Sequence, residues 1–111
     1  MIRITINRTS EGTIRSFTIS GHAQFAKRGQ DIVCAGVSAI SFGAVNAIIA
    51  LTNVKPIIQQ GKDGYLHCEL PTIEDAKVLA DVQLLLEGMI VSLQTIERDY
   101  GKYVNITTKT L

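Results

Sequence analysis

With 111 residues, 46% hydrophobic and 19% charged, the chain has the length of one domain that buries roughly two-thirds of its unfolded surface, without needing a disulfide or metal. Lys and Arg number 11 against 10 Asp and Glu, the densest basic cluster is Lys27-Arg28, and there is no Trp. Neither the basic stripe nor the stacking platform of a nucleic-acid binder is present, so direct nucleic-acid contact is not expected.

From Met1 the chain alternates Ile2-Arg3-Ile4-Thr5-Ile6, which reads as a strand and not as a signal peptide. Cys34 and Cys68 are therefore expected as reduced thiols in a cytoplasmic protein. Thr9-Ser10-Glu11-Gly12 predicts a hairpin turn, after which Ile14, Phe17 and Ile19 repeat the alternation less regularly. Residues 20–30 carry Gly21 and Gly29 near their ends, with Gln24, Lys27, Arg28 and Gln30 within. Such a segment is either a loop that moves over a site or an ordinary surface connection.

Asp31 is a good N-cap and opens a helix over residues 32–52, which places Cys34 in the first turn. Residues 32–53 carry no formal charge, a length that would pass for a membrane helix. Asn46, Ser38, Ser41, two glycines and the lack of Trp or Tyr at either end favour a buried helix of a soluble domain instead, so no membrane partner is expected. Gly36, Ala39, Gly43, Ala47 and Ala50 recur every three or four residues, and small side chains at that spacing let another backbone approach closely. Dense packing within one chain would satisfy them, as would a homodimer.

Pro56-Ile57-Ile58-Gln59-Gln60 and Tyr65-Leu66-His67-Cys68-Glu69-Leu70 read as strands joined by a turn at 61–64. Thr72, with Asp75 three residues later, predicts a capping box at the start of a second helix. An apolar stripe from Val78 to Ile96 carries that helix to about Asp99. Gly101 ends it and residues 103–107 supply a last strand. The order ββαββαβ predicts an α+β fold of two layers, a mostly antiparallel sheet with two helices packed on one face, as a single domain spanning 1–111.

Two residues carry the chemical interest. A cysteine on the first helical turn meets unpaired N–H groups and the positive end of the helix dipole, both of which favour thiolate over thiol. His22 follows Gly21 at a strand exit, where a bend can aim the ring toward Cys34. Asp31, three residues before Cys34, is an N-cap first and could also orient the imidazole. Ser38 lies one turn beyond Cys34 on the same helix face. It could steady the thiolate or bond a carbonyl of its own helix. A buried structural cysteine and a surface histidine are the bland readings of the pair. Cys68 and His67 sit in a strand pattern, and the four Cys and His do not reproduce a zinc spacing, so neither metal nor organic cofactor is expected.

Gly21-His22-Ala23, Gly29, Asp31-Ile32-Val33-Cys34-Ala35 and Val37-Ser38 together resemble the signature of the ribosomal-processing cysteine protease (Prp) family. The resemblance implies a Cys-His endopeptidase that removes a short N-terminal extension from a large-subunit ribosomal protein, supporting ribosome maturation. It also implies Cys34 as nucleophile, His22 as base and acid, a homodimer, and a mobile substrate site that prefers bulky aromatic side chains before the scissile bond. On general grounds the oxyanion of such a reaction would be held by the N–H groups of Cys34 and Ala35. Two other readings remain beside it: a non-catalytic dimeric assembly factor binding a ribosomal protein, and a thiol enzyme acting on other acyl substrates.

Overall fold

The structure is a computed structural model and describes every residue except Arg28 and Asp63. The elements follow the order β1 (Ile2–Arg8), β2 (Ile14–Ser20), α1 (Ile32–Thr52), β3 (Ile57–Gln60), β4 (Leu66–Glu69), α2 (Ala76–Asp99) and β5 (Val104–Thr110). The strands form one sheet in the order β3-β4-β2-β1-β5. Pairings β1–β2, β2–β4 and β3–β4 are antiparallel, while β1–β5 is parallel. The fold is therefore the α+β arrangement the pattern predicts, with one parallel seam.

One face of the sheet presents Ile2, Ile4, Ile6, Phe17, Ile19, Leu66 and Cys68 to a single core. Val33, Val37, Val45 and Ile48 of α1 and Val82, Leu86, Met89, Ile90 and Leu93 of α2 fill it from the other side. The irregular spacing in β2 has a local cause. Asn7 pairs with Ser16 but Arg8 pairs with Ile14, which leaves Arg15 as the extra residue of a bulge and lets Ile14 and Phe17 both turn inward. Beside the bulge Arg8 grips Glu87 of α2 through two bonds of 2.8 and 2.7 Å.

Helix α2 begins later than a cap at Thr72 would have it. Asp75 is the N-cap, its carboxylate accepting from the Val78 N–H at 3.0 Å. A carboxylate caps more strongly than a threonine hydroxyl, and Ile73 packs against the core in the segment before it. Two side chains of α2 then tie the helix to the sheet. Gln83 both donates to and accepts from the Ile14 backbone at 2.8 Å each way, and Glu97 accepts from the Ile106 N–H at 2.7 Å. The second bond satisfies a donor on the edge strand β5.

Helix α1 is long and apolar enough to cross a membrane by length and composition. Here Val33, Val37, Ser41, Val45 and Ile48 place it in the core, and the opposite side is left uncovered. Its N-terminus lies at the sheet end where β1 starts, β2 leaves and the β3–β4 turn closes, since Arg3 pairs with Ser20 and Ile19 and Gln60 both pair with Leu66. That end carries the candidate site.

Candidate active site

His22 is placed by two glycines. Gly21 follows β2 with φ of +87°, and a Cβ there would collide with the Met1 carbonyl oxygen. The left-handed bend and the close approach both require glycine, and together they turn the chain out of the sheet at His22. Gly64, with φ of +72° in the β3–β4 connection, comes so near that an added Cβ would stand 2.7 Å from the Gly21 oxygen and 3.7 Å from His22 Cε1. The next residue, Ala23, is only 3% exposed. His22 is thus an exposed ring on a backbone anchored in the core.

Cys34 occupies the first turn of α1, half-buried. Its Sγ accepts a hydrogen bond from the Ala23 N–H at 3.3 Å, which joins the thiol to the backbone immediately after His22. Both residues line a cavity of about 640 Å³ with Asp31, Ser38, Gly21, Gly64 and the loop between them. The structure therefore brings together all four residues that the sequence nominates. Ser38 is exposed in the cavity wall, one turn beyond the sulfur.

Asp31 works with both carboxylate oxygens. Oδ1 accepts from the N–H groups of Val33 and Cys34 at 3.0 Å each and so caps α1. Oδ2 accepts from Phe25 at 3.0 Å and Ala26 at 3.4 Å, which ties the loop to the helix start. Burial pushes this carboxyl up, but the N–H groups of Cys34, Phe25 and Ala26 with the Cys34 thiol outweigh that effect and hold it below the ordinary aspartate value. The loop has a second anchor in Phe25, whose ring meets Tyr100 and Tyr103 edge-on at centroid distances of 5.6 and 5.2 Å.

The oxyanion donors expected at the helix start are engaged elsewhere: the Cys34 N–H donates to Asp31 Oδ1 and the Ala35 N–H to the Asp31 carbonyl at 3.0 Å. Cys68 stands apart, 1% exposed in β4, and burial pushes its thiol up to about 11. His67 bonds Thr18 at 2.8 Å and lies 3.5 Å from Glu69, away from the cavity. Among the described residues no group of three or more His, Cys, Asp or Glu is placed to hold a metal ion. Ala23 entered the sequence analysis only as part of the Gly21-His22-Ala23 motif and Gly64 only as part of a turn, because one contributes a backbone N–H and the other the lack of a side chain, and residue type does not show where either points.

A family model described as cysteine protease Prp matches residues 1–105. The ribosomal processing cysteine protease Prp of Bacillus subtilis is 51% identical over 109 residues, covering 97% of each chain. The protein of the same description from Staphylococcus aureus is 39% identical over 98% of this chain and all of its own. A crystal structure of an essential ribosomal processing protease Prp from S. aureus with a covalently linked product peptide superposes with a TM-score of 0.89 at 39% identity, over 98% of this chain and 100% of that one. A second, in complex with a substrate peptide, gives a TM-score of 0.83 at 38% identity over the same shares.

Proposed function

The chain belongs to the cysteine protease Prp family, whose Bacillus subtilis and Staphylococcus aureus relatives are described as ribosomal processing cysteine proteases, and from that premise we propose that it removes a short N-terminal extension from a large-subunit ribosomal protein by Cys34-His22 catalysis. The observation that carries the reading is that Cys34 and His22 line one cavity, with the sulfur hydrogen-bonded to the backbone N–H of the residue after His22. The covalently linked product peptide of the S. aureus relative supports it.

In the reaction His22 takes the proton from Cys34, and the thiolate attacks the scissile carbonyl carbon. An S–C bond forms while the carbonyl π pair moves to oxygen. As the tetrahedral intermediate collapses, the C–N bond breaks and the imidazolium gives its proton to the departing amine. Water, deprotonated by His22, then cleaves the thioester and regenerates the thiol. Asp31 fixes the helix start that carries the sulfur, and Ser38 forms part of the wall against which the peptide lies.

The experiment is mass spectrometry of an N-terminally extended large-subunit ribosomal protein incubated with this chain and with Cys34→Ser and His22→Ala variants. Cleavage by the unmodified chain and a loss of at least ~10³-fold in each variant is the expected result, since members of a catalytic unit fail together. Undiminished cleavage by either variant would remove that residue from the mechanism. We further propose that two copies associate through the uncovered side of α1, where Ile32, Ala35, Ala39, Phe42, Asn46 and Ala50 are exposed and none is charged.

A further inference from the structure

Attack by Cys34 creates an oxyanion on the carbon bonded to Sγ, so its donor must lie beside the sulfur and must not be committed to an acceptor that keeps its charge or lone pair through the reaction. The helix start offers few such groups. Val33 and Cys34 both donate to Asp31 Oδ1, and Ala35 donates to the Asp31 carbonyl. On the other side of the sulfur the Ala23 N–H already points at Sγ from 3.3 Å. We infer that the backbone N–H of Ala23 is an oxyanion donor, supplied by the loop and not by the helix. The inference rests on the peptidase reading above.

The chemistry follows from the position of charge. In the resting enzyme the N–H lies against the sulfur. When the S–C bond forms, the sulfur lone pair is consumed and the negative charge appears on the adjacent oxygen. The oxygen forms beside the sulfur, so the same N–H passes from one acceptor to the other while the backbone stays in place. On collapse the oxygen lone pair re-forms the C=O bond, the C–N pair departs with the amine and takes the proton from His22, and the N–H is again free for the sulfur.

The surroundings hold that donor in place before substrate arrives. Ala23 is buried, Gly21 fixes the bend on one side of it, and on the other the Phe25 and Ala26 N–H groups are tied to Asp31 Oδ2. Phe25 is held between Tyr100 and Tyr103. A donor fixed in a shielded site needs no reorganisation at the moment of reaction, which is the condition under which such groups contribute most.

The test replaces one backbone N–H by oxygen. Residues 1–33 are made with an ester in place of the His22–Ala23 amide and ligated to residues 34–111 at Cys34, beside an all-amide control made in the same way. Turnover of an N-terminally extended ribosomal-protein peptide is measured together with alkylation of Cys34 by iodoacetamide, which attacks sulfur without forming an oxyanion. We expect kcat to fall about 10²–10³-fold in the ester protein, with KM within about threefold and alkylation slowed far less than turnover. Equal losses in both would make the N–H a thiolate ligand only and overturn the inference, as would an unchanged kcat. An all-amide control that cleaves nothing would overturn the peptidase reading itself.

Asp31→Asn gives a second arm independent of ligation. Asparagine still caps α1 with its oxygen but sets an NH2 group against the Phe25 and Ala26 N–H groups, releasing the loop. The expected result is a kcat lower by about tenfold or more with alkylation slowed less than turnover, because small displacements of a catalytic group cost rate steeply. Unchanged turnover in a folded Asp31→Asn protein would argue that the loop does not position the donor.

Discussion

Cys34 and Cys68 carry the same side chain in opposite settings. The first lies half-buried in a cavity with a donor at its sulfur, whereas the second is sealed in the core with its thiol pushed up to about 11. Brief treatment of the folded protein with iodoacetamide at pH 8 is expected to place one adduct, on Cys34, because the thiolate is the reactive form. Peptide mapping reads the outcome, and an adduct on Cys68 of the native protein would contradict the packing described here. At this scale Cys34, His22, Asp31 and Ser38 were legible in the sequence, since cap, thiol and serine lie within eight positions of one helix start. The role of Ala23 was not, because alanine in the sequence says nothing about where its N–H points.

Elements position the site through contacts that local sequence reports unevenly. The start of α1 was readable because Asp31 precedes an uninterrupted apolar run. The start of α2 was not, because Thr72 and Asp75 both fit a cap and only packing around Ile73 distinguishes them. The β3–β4 turn was readable as a turn, while its approach to His22 from 42 positions away left no local mark. Gly64→Ala tests that approach. Its methyl would collide with the Gly21 oxygen, in the peptide group that leads into His22, and the left-handed backbone alone costs about 1–2 kcal/mol in a non-glycine residue. A kcat/KM at least about tenfold lower is expected, along with a lower Tm. A full-rate Gly64→Ala enzyme would show that the turn does not position His22.

The whole molecule leaves one long helix covered on one side only. A second copy laid on α1 would need to cover about 800 Å² per partner to be stable, and a charge at the centre of that face opposes it. Sedimentation at micromolar concentration is expected to give two copies for the unmodified chain and one for Ala39→Lys, whose added charge lies on the exposed side. A single copy in both would leave α1 uncovered in solution. The two-layer α+β class and the element order were legible at this scale, because each strand and helix announces its own period. The sheet order and the parallel seam were not, since the pairing of Ile2 with Val104 joins residues a hundred positions apart.

That parallel seam also decides how the protein can be handled. Ile2 lines the candidate cavity, so a purification tag placed ahead of Met1 leaves from its rim and crowds its mouth. Because β5 runs in the same direction as β1, Leu111 sits at the far end of the strand, bonded to the Arg8 carbonyl about 20 Å away. A tag appended after Leu111 departs from the opposite end of the sheet and leaves the cavity open to its substrate.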